Sequence, residues 1–241
     1  MRWALILGAS GDIGQSVARD LASKGWSLYL HYYRNQARIS DLITDLSESY
    51  PKQDFLAIQY DLCDSENLAA IMDNIFALDA VIFTQGTTYY GLFHDMKASQ
   101  LTKLWQMQVQ TPLLLIKGLE EKLARSGSGR IIFIGSVYGG AGSAMEVAYS
   151  TVKGALSAFA LAYSKEVASL GITVNVVAPG AVDTQMNQMF SAHVKDEVSA
   201  EIPTGRFANV DEISYWVLAL LETKAGYLTG QTLYVSGGWL K

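Results

Sequence analysis

The sequence contains a single cysteine, Cys63, among its 241 residues. One cysteine excludes an intrachain disulfide, and small secreted domains that depend on disulfides carry several. We therefore interpret Cys63 as a small buried side chain and expect a protein of the reducing cytoplasm. Only three histidines are present, and His31, His94 and His193 lack the spacing of metal ligands, so we expect no metal site.

Charged residues are also scarce, at 17% of the chain, whereas 50% of the residues are hydrophobic. This balance is typical of a sheet that is covered on both faces. The net charge of −5, without any run of like charge, argues against nucleic acid or anionic lipid as a partner. No apolar run approaches the length of a membrane span, and the chain opens directly on the strand-like RWALIL. We therefore expect neither a membrane segment nor a signal peptide.

Apolar, β-branched runs alternate with helical patterns along the whole chain. The runs predict strands at 2–7, 27–31, 55–60, 80–84, 129–135, 172–177 and 232–235. Helical periodicity predicts helices after the first strand and at 39–49, 67–76, 99–124, 147–170 and 210–222. This alternation indicates right-handed crossovers and one doubly wound parallel α/β sheet of about seven strands, with helices on both faces, as a single domain over residues 1–241. Such sheets bind ligands at the carboxyl ends of their strands.

Residues 184–206 interrupt this regular pattern, with methionine and phenylalanine among polar residues. They follow the sixth strand, whose end is marked by Pro179-Gly180. Two interpretations are open for this segment: a mobile flap over a substrate site, or a plain surface helix.

A glycine motif, GASGDIG at residues 8–14, lies where the first strand turns into the first helix. Gly8, Gly11 and Gly14 let the backbone approach a ligand, and the free amides of the helix N-terminus favour a pyrophosphate. A glycine cluster can also form a mere tight turn, but its place after a buried strand favours dinucleotide binding. Asp61, at the end of the third strand, is a candidate acceptor for an adenine amino group; the alternative is helix capping before Ser65.

The end of the second strand, LHYYRN, bears on the type of dinucleotide. An acidic residue there holds the ribose hydroxyls of NAD, whereas a cation favours the additional phosphate of NADP. Tyr32 stands where the acid is expected, and Arg34 follows two positions later. The sequence therefore predicts NADP (NADPH), with Arg34 as the phosphate partner. The alternative for Arg34 is a solvated loop charge.

Three polar residues follow the fifth strand. Ser136 comes directly after its buried run, and Tyr149 and Lys153 lie four positions apart on one face of the next helix. A free phenol has a pKa of about 10, and a nearby ammonium lowers that value. We therefore predict proton transfer by Tyr149, with Lys153 lowering its pKa and Ser136 orienting a carbonyl oxygen. Taken alone, this spacing is also typical of an ordinary helix with an exposed lysine.

Together these motifs resemble the short-chain dehydrogenase/reductase family over essentially the whole chain, in the subgroup of bacterial 3-oxoacyl-acyl carrier protein reductases. The matching segments are GASGDIG, Asp61-Leu62, the set of Ser136, Tyr149 and Lys153, NVVAPGAVDTQM, IPTGRFANVDEI and YLTGQTLYVSGG. The resemblance implies a Rossmann-type fold, hydride transfer from NADPH to a ketone with Tyr149 as proton donor, and a twofold-symmetric homotetramer. It assigns cofactor contacts to Gly8, Ser10, Gly11, Asp12, Ile13, Gly14, Arg34, Asp61, Leu62, Gly86, Tyr149, Lys153, Pro179, Gly180, Val182 and Thr184.

Some residues depart from the family pattern. The glycine loop has Asp12 where a glycine is usual. Gln108 stands where many members place an asparagine that holds a proton-relaying water, so we predict a catalytic role for Gln108 with reduced but real activity. Leu170 occupies a place where reductases of carrier-protein substrates tend to have a basic residue. The substrate is therefore open between a 3-oxoacyl carrier protein, a ketone on a modified protein side chain such as that of bacterial elongation factor P, and another small ketone. The alternative of a different class is a non-catalytic NADP-sensing protein.

Overall fold

The computed structural model describes residues 2–187 and 191–239, in which strands and helices alternate as expected. The strands of this part of the chain are β1 (Arg2–Leu7), β2 (Trp26–Tyr32), β3 (Phe55–Gln59), β4 (Ala80–Phe83), β5 (Arg130–Ile134), β6 (Thr173–Pro179) and β7 (Thr232–Val235). They form one seven-stranded parallel sheet in the order β3-β2-β1-β4-β5-β6-β7. The predicted doubly wound α/β fold is confirmed. Because the strand order reverses between β1 and β4, a ligand crevice opens outside their carboxyl ends.

The helices of the described residues differ from the predicted ones mainly near residue 70. They are α1 (Asp12–Ser23), α2 (Gln36–Ser49), α3 (Ala69–Met72), α4 (Ala98–Trp105), α5 (Thr111–Arg125), α6 (Tyr138–Ala141), α7 (Val147–Val167), α8 (Ala192–Glu201) and α9 (Val210–Leu221). The prediction of a helix over 67–76 is wrong in extent, since α3 has only four residues. Just before it, Asp61 and Asp64 accept hydrogen bonds from the backbone amides two residues on, at 2.9 Å each. Such local bonds favour turns over a helix.

Alternating residues of β1 show how the sheet is covered on both faces. Leu5 and Leu7 belong to one apolar cluster, with residues of α5 and α7, whereas Ala4 and Ile6 belong to another, with residues of α1, α2 and α9. All four side chains are buried. The helices therefore occupy both faces and leave the carboxyl edge of the sheet for polar side chains. No helix among the described residues is long and apolar enough to cross a bilayer.

A single helix over 99–124 was the expectation, but a π-helical turn at Gln106–Gln110 separates α4 from α5. Pro112 stands at the start of α5 and has no backbone N–H to donate to the carbonyl four residues earlier, at Gln108. The widened turn accommodates this missing bond, and π turns of this kind often lie at functional sites. Gln108 lies on this turn, and its side chain is buried.

Candidate functional site

A cleft of about 630 Å³ lies at the carboxyl edge of the sheet, along the crevice between β1 and β4. The sequence-predicted residues meet there with two exceptions, Arg34 and Gln108, which are not among its lining residues. Those that line it are Gly8, Ser10, Gly11, Asp12, Ile13, Gly14, Asp61, Leu62, Gly86, Ser136, Tyr149, Lys153, Pro179, Gly180, Val182 and Thr184. A volume of this size lies within the range of sites for small molecules and cofactors.

The glycine loop packs too closely against its neighbours to hold larger side chains. Gly8 has a φ of +77°, and a Cβ on it would lie 2.6 Å from the backbone nitrogen of Gln85. A Cβ on Gly14 would lie 2.5 Å from the carbonyl oxygen of Gly8 and 2.8 Å from Thr84 Oγ1. The bare backbone therefore brings the N-terminus of α1 to the cleft, where its free amides suit an anion such as a pyrophosphate.

His31 supports this loop from below, a role that sequence reasoning missed. The backbone N–H of Gly8 donates to His31 Nδ1 at 3.1 Å, so Nε2 carries the proton and faces the carbonyl oxygen of Tyr60 at 3.1 Å. Burial lowers the pKa of His31 to about 4, because the charged imidazole is poorly solvated there. The position of His31 near the end of β2, beside the strand that feeds the glycine loop, is the signal that could have identified it.

Asp12 links the glycine loop to two other segments. Its Oδ1 pairs with Nη2 of Arg38 on α2 at 2.8 Å, and its Oδ2 accepts from the backbone N–H of Gln185 at 2.7 Å. Arg38 lines the cleft, whereas Arg34 is exposed and lies over the ring of Tyr33, 4.7 Å from its centroid. The structure thus places a second cation, which sequence reasoning did not identify, at the glycine-loop end of the cleft.

Asp61 lies at the same end of the cleft, beyond the tip of β3. Its Oδ1 accepts from the backbone N–H of Cys63 at 2.9 Å, so its carboxylate stabilises a tight turn. The helix-capping alternative is wrong, because α3 begins only at Ala69. Contact with an adenine amino group stays a prediction.

Ser136, Tyr149 and Lys153 come together in the middle of the cleft, as the spacing predicts. Ser136 follows β5, and its Oγ accepts from the backbone N–H of Tyr138 at 3.2 Å. Lys153 Nζ lies 5.5 Å from the ring centroid of Tyr149 and donates to the carbonyl oxygen of Ile134 at 2.8 Å. The lysine is buried at 3% exposure, which rules out the alternative of a helix with an exposed lysine.

The pKa of Tyr149 is shifted in the direction opposite to the one predicted. Burial raises it to about 12, and a hydrogen bond with Ser136 only partly opposes that rise. Burial also lowers the pKa of Lys153 to about 8, since the ammonium loses solvation. Desolvation of the phenol therefore dominates the shift of the Tyr149 pKa. At neutral pH, Tyr149 retains its proton and can act as a donor.

Gln108 lies behind this group, on the π turn, at 1% exposure. Its Nε2 donates to the carbonyl oxygen of Thr87 at 2.8 Å, whereas its buried Oε1 has no hydrogen-bond partner within the described part of the chain. A Cβ built on Gly86 would lie 3.7 Å from both Gln108 Oε1 and Lys153 Nζ. The unpaired oxygen and the ammonium therefore border the same small space, which is polar enough for a bridging water.

The far end of the cleft is lined by aromatic side chains and one carboxylate. Tyr90, Tyr138 and Trp239 line it, as does Glu146, whose Oε1 accepts from Thr88 Oγ1 at 2.7 Å. Tyr90 lines both this cleft and a smaller neighbouring one, which Tyr89 and Met145 also line. Sequence reasoning missed Glu146, which directly precedes α7, because a lone acid beside a helix start carries no distinctive pattern.

The 184–206 segment forms part of the wall of this cleft. Thr184, Gln185 and Asn187 line it, and α8 contributes Val194, Lys195 and Val198. The segment thus contains a helix, as one interpretation held, but that helix faces the cleft. Its role as a mobile flap stays a prediction, and its residues 188–190 lie outside the described ranges. No group of three or more metal-ligating side chains occurs among the residues that were described.

Comparisons with known proteins agree with this geometry. Residues 8–240 match the family described as enoyl-(acyl carrier protein) reductase. The chain is 39% identical over 237 residues to the uncharacterized oxidoreductase YmfI of Bacillus subtilis, with 98% of both chains covered. It is 30% identical to the 3-oxoacyl-[acyl-carrier-protein] reductase FabG of Escherichia coli, covering 98% of this chain and 96% of that protein.

Solved structures share the fold over the full length of the chain. A short-chain dehydrogenase/reductase from Serratia marcescens superposes with a TM-score of 0.92 at 26% identity, covering 100% of this chain and 98% of that one. The L-sorbose reductase from Gluconobacter frateurii, complexed with NADPH and L-sorbose, superposes with a TM-score of 0.92 at 24% identity, covering 100% and 97%. The family match, the relatives and the fold lead to one conclusion: the chain belongs to the short-chain dehydrogenase/reductase family and is an NAD(P)-dependent oxidoreductase acting on CH–OH or C=O groups.

Proposed function

We propose that the protein reduces a ketone with NADPH and that Tyr149 donates the proton. The observation that carries the proposal is geometric: Ser136, Tyr149 and Lys153 line the cleft together, and Lys153 Nζ lies 5.5 Å from the ring centroid of Tyr149, whose phenol is protonated at neutral pH. The glycine loop, where a Cβ on Gly8 or Gly14 would collide with backbone, fits the close approach of a dinucleotide. Bound NADPH supplies the hydride. The Ser136 hydroxyl donates to the ketone oxygen and orients it towards the Tyr149 phenol.

Lys153 and Gln108 form the route by which the proton on Tyr149 is replaced. The ammonium of Lys153 stabilises the phenolate that remains after proton donation. The unpaired Oε1 of Gln108 accepts from a water in the space it shares with Lys153, and this water links the lysine to solvent.

The carbonyl substrate is the least constrained part of the proposal. The FabG relatives act on 3-oxoacyl-acyl carrier protein, which makes a short 3-oxoacyl thioester a suitable first probe. However, Leu170 is 41% exposed at the place where a basic residue would meet an acidic carrier protein. A ketone borne on a modified protein side chain, such as that of elongation factor P, or a free small ketone are therefore the alternatives.

The decisive experiment follows the loss of nicotinamide absorbance with purified protein, NADPH and the short 3-oxoacyl thioester, in parallel with a small neutral methyl ketone. Turnover of either compound establishes the reductase. The non-catalytic NADP-sensing alternative predicts tight NADPH binding without oxidation of NADPH by any ketone in a broad screen. That alternative leaves the meeting of Tyr149, Ser136 and the buried Lys153 in one cleft unexplained.

The glycine-loop end of the cleft, where we place the adenosine of the cofactor, yields a prediction about cofactor choice. Arg34→Ala and Arg38→Ala are each expected to raise the KM for NADPH about tenfold and to change that for NADH less than about twofold, because each removes a cation from the 2′-phosphate. Arg38 leaves its pair with Asp12 to reach the phosphate. The control is Arg19→Ala, which removes an exposed ion pair between Arg19 on α1 and Asp45 on α2. Equal losses for the two cofactors would remove the phosphate role from the arginine concerned.

The relay yields a second prediction. Gln108→Leu is expected to lower kcat by about a hundredfold with little change in NADPH affinity, because the water loses its acceptor beside Lys153. Gln108→Asn, which restores the shorter amide, is expected to preserve or raise kcat. Gln110→Leu on the same π turn is the control, since Gln110 is only partly buried and is not one of the two side chains that border the space beside Gly86. Unchanged kcat in Gln108→Leu, or a collapse in Gln108→Asn, would contradict the assignment.

The homotetramer is still a prediction, and it comes from the family resemblance. Exposed apolar side chains on α5, α7 and β7 support it: Leu114 is 38% exposed, Leu161 52% and Tyr234 40%. Sedimentation of the purified protein decides between a monomer and a larger assembly. A cytoplasmic location likewise stays a prediction.

A further inference from the structure

Glu146 places a negative charge at the substrate end of the cleft. It is partly buried, lines the cleft and accepts a hydrogen bond from Thr88 Oγ1 at 2.7 Å. Its carboxylate contributes to the raised pKa of both Tyr149 and Tyr138, which places it close to the proposed proton donor. A negative charge beside the reacting carbonyl discourages an anionic substrate and favours a cationic one.

Aromatic rings line the same cleft as this carboxylate. Tyr138 and Trp239 have ring centroids 5.8 Å apart and planes inclined at 57°. Tyr90 also lines the cleft. Aromatic faces combined with a carboxylate are the chemistry that recognises alkylammonium groups, through cation–π attraction and charge pairing.

The cationic side chains of the cleft are engaged elsewhere. Among the described residues that line it, the cations are Arg38, Lys153 and Lys195. Arg38 pairs with Asp12 at the glycine-loop end, Lys195 lies 3.5 Å from Asp183, and Lys153 donates to a backbone carbonyl. Within the described part of the chain, Glu146 makes no salt bridge and therefore retains its charge for a ligand.

A purely structural role explains Glu146 less well. It directly precedes α7, and a carboxylate at a helix N-terminus commonly accepts hydrogen bonds from the first free amides. Here the Glu146 side chain makes no such capping bond, and its Oε1 faces Thr88 on the loop after β4. A glutamine would accept the same bond from Thr88 without a charge. The bond from Thr88 therefore does not explain the negative charge of Glu146, which points to a function in the cleft.

We propose that the ketone reduced by this protein carries an alkylammonium group, which Glu146 and the rings of Tyr138 and Trp239 hold while the carbonyl lies at Ser136 and Tyr149. This inference rests on the proposed ketone reductase function and specifies its substrate class. The ammonium belongs either to a free amino ketone or to a ketone linked to a lysine side chain of a protein.

The test compares two methyl ketones of the same shape. One carries a trimethylammonium group three methylenes from the carbonyl, and the other carries a tert-butyl group in its place; neither can cyclise onto its own carbonyl. Wild-type protein is expected to reduce the cationic ketone with a kcat/KM about tenfold higher than that for its neutral counterpart. Glu146→Gln is expected to bring the ratio of the two kcat/KM values to about one; the ratio is the readout, because the neutral ketone corrects for any effect of the variant on Tyr149. Glu121→Gln, an exposed change on α5, is the control.

Calorimetric binding of both ketones to the complex with NADP+ accompanies the kinetics, so that the inference is decided whether or not either ketone is turned over. Tighter binding of the cationic ketone that disappears in Glu146→Gln supports it. Equal kinetics and equal binding of the two ketones in wild type overturn it while leaving the reductase function intact. By contrast, cation-selective binding without turnover of any ketone supports the site and contradicts the proposed function. A lysine-containing peptide bearing the same ketone, compared with the free compound, distinguishes the two sources of the ammonium.

Discussion

Tyr149→Phe is expected to lower kcat for ketone reduction about a thousandfold while NADPH still binds with nearly unchanged affinity. The phenol is the group proposed to protonate the alkoxide that hydride transfer creates, and phenylalanine preserves the ring without the proton. Because the pKa of Tyr149 is about 12, its hydroxyl is protonated throughout the neutral range. A modestly lower pH therefore does not offset the loss of this hydroxyl in Tyr149→Phe.

The control for this prediction lies on the same helix. Tyr163 hydrogen-bonds to Glu120 and does not line the cleft, so Tyr163→Phe is expected to leave kcat within about twofold of wild type. Fluorescence titration with NADPH and steady-state kinetics on both variants provide the comparison. Substantial turnover by Tyr149→Phe would mean that another group donates the proton.

Acidification from pH 7 to pH 4 is expected to cost the folded state about 3 kcal/mol through His31 alone. Its pKa is about 4 in the folded protein, compared with the ordinary value of 6.5 in the unfolded chain. Between pH 6.5 and about pH 4, the imidazole of His31 binds a proton in the unfolded state and stays neutral in the folded state. The contribution is therefore fully present above pH 6.5 and is lost as the pH falls towards 4.

Denaturant unfolding at a series of pH values isolates this effect when wild type is compared with His31→Gln. The variant is expected to be less stable at pH 7, where it loses the bond from Gly8 N–H, and to show a shallower decline between pH 6.5 and pH 4. His94→Gln, an exposed change, is the control and is expected to follow wild type. Parallel curves for wild type and His31→Gln would contradict the buried neutral imidazole. The same variant is expected to bind NADPH more weakly, since the bond fixes the glycine loop.

Much of the fold follows from patterns that are local in the sequence. Three of these patterns are each contained within a few residues. They are the run Ile131–Ile134, the glycines between 8 and 14, and the four-residue spacing of Tyr149 and Lys153. A β-branched run predicts a buried strand whatever its neighbours are, and a helix spacing fixes a shared face. These patterns place the strands within two residues of their observed bounds and bring the central three side chains together.

The features that sequence reasoning missed depend on contacts between distant segments. Arg38 reaches the cleft through Asp12, 26 residues earlier, and Glu146 faces Thr88, 58 residues earlier. Neither pairing has a local signature. The pKa of Tyr149 also depends on distant segments. The nearby lysine is visible in the sequence, whereas the burial that dominates the pKa shift is a property of the whole cleft. Pro112 was a visible cue for the π turn, but which register the helix adopts depends on the packing around it.

In the proposed reaction, a ketone receives a hydride from NADPH in this cleft. The most direct test uses NADPH with two deuterium atoms on its hydride-donating carbon, together with the short 3-oxoacyl thioester and the cationic methyl ketone. Mass spectrometry of the products is expected to show one deuterium on the carbinol carbon of the alcohol from at least one of these compounds, with an equal loss of NADPH. Alcohol without deuterium, or bound NADPH that no ketone oxidises, would contradict the account.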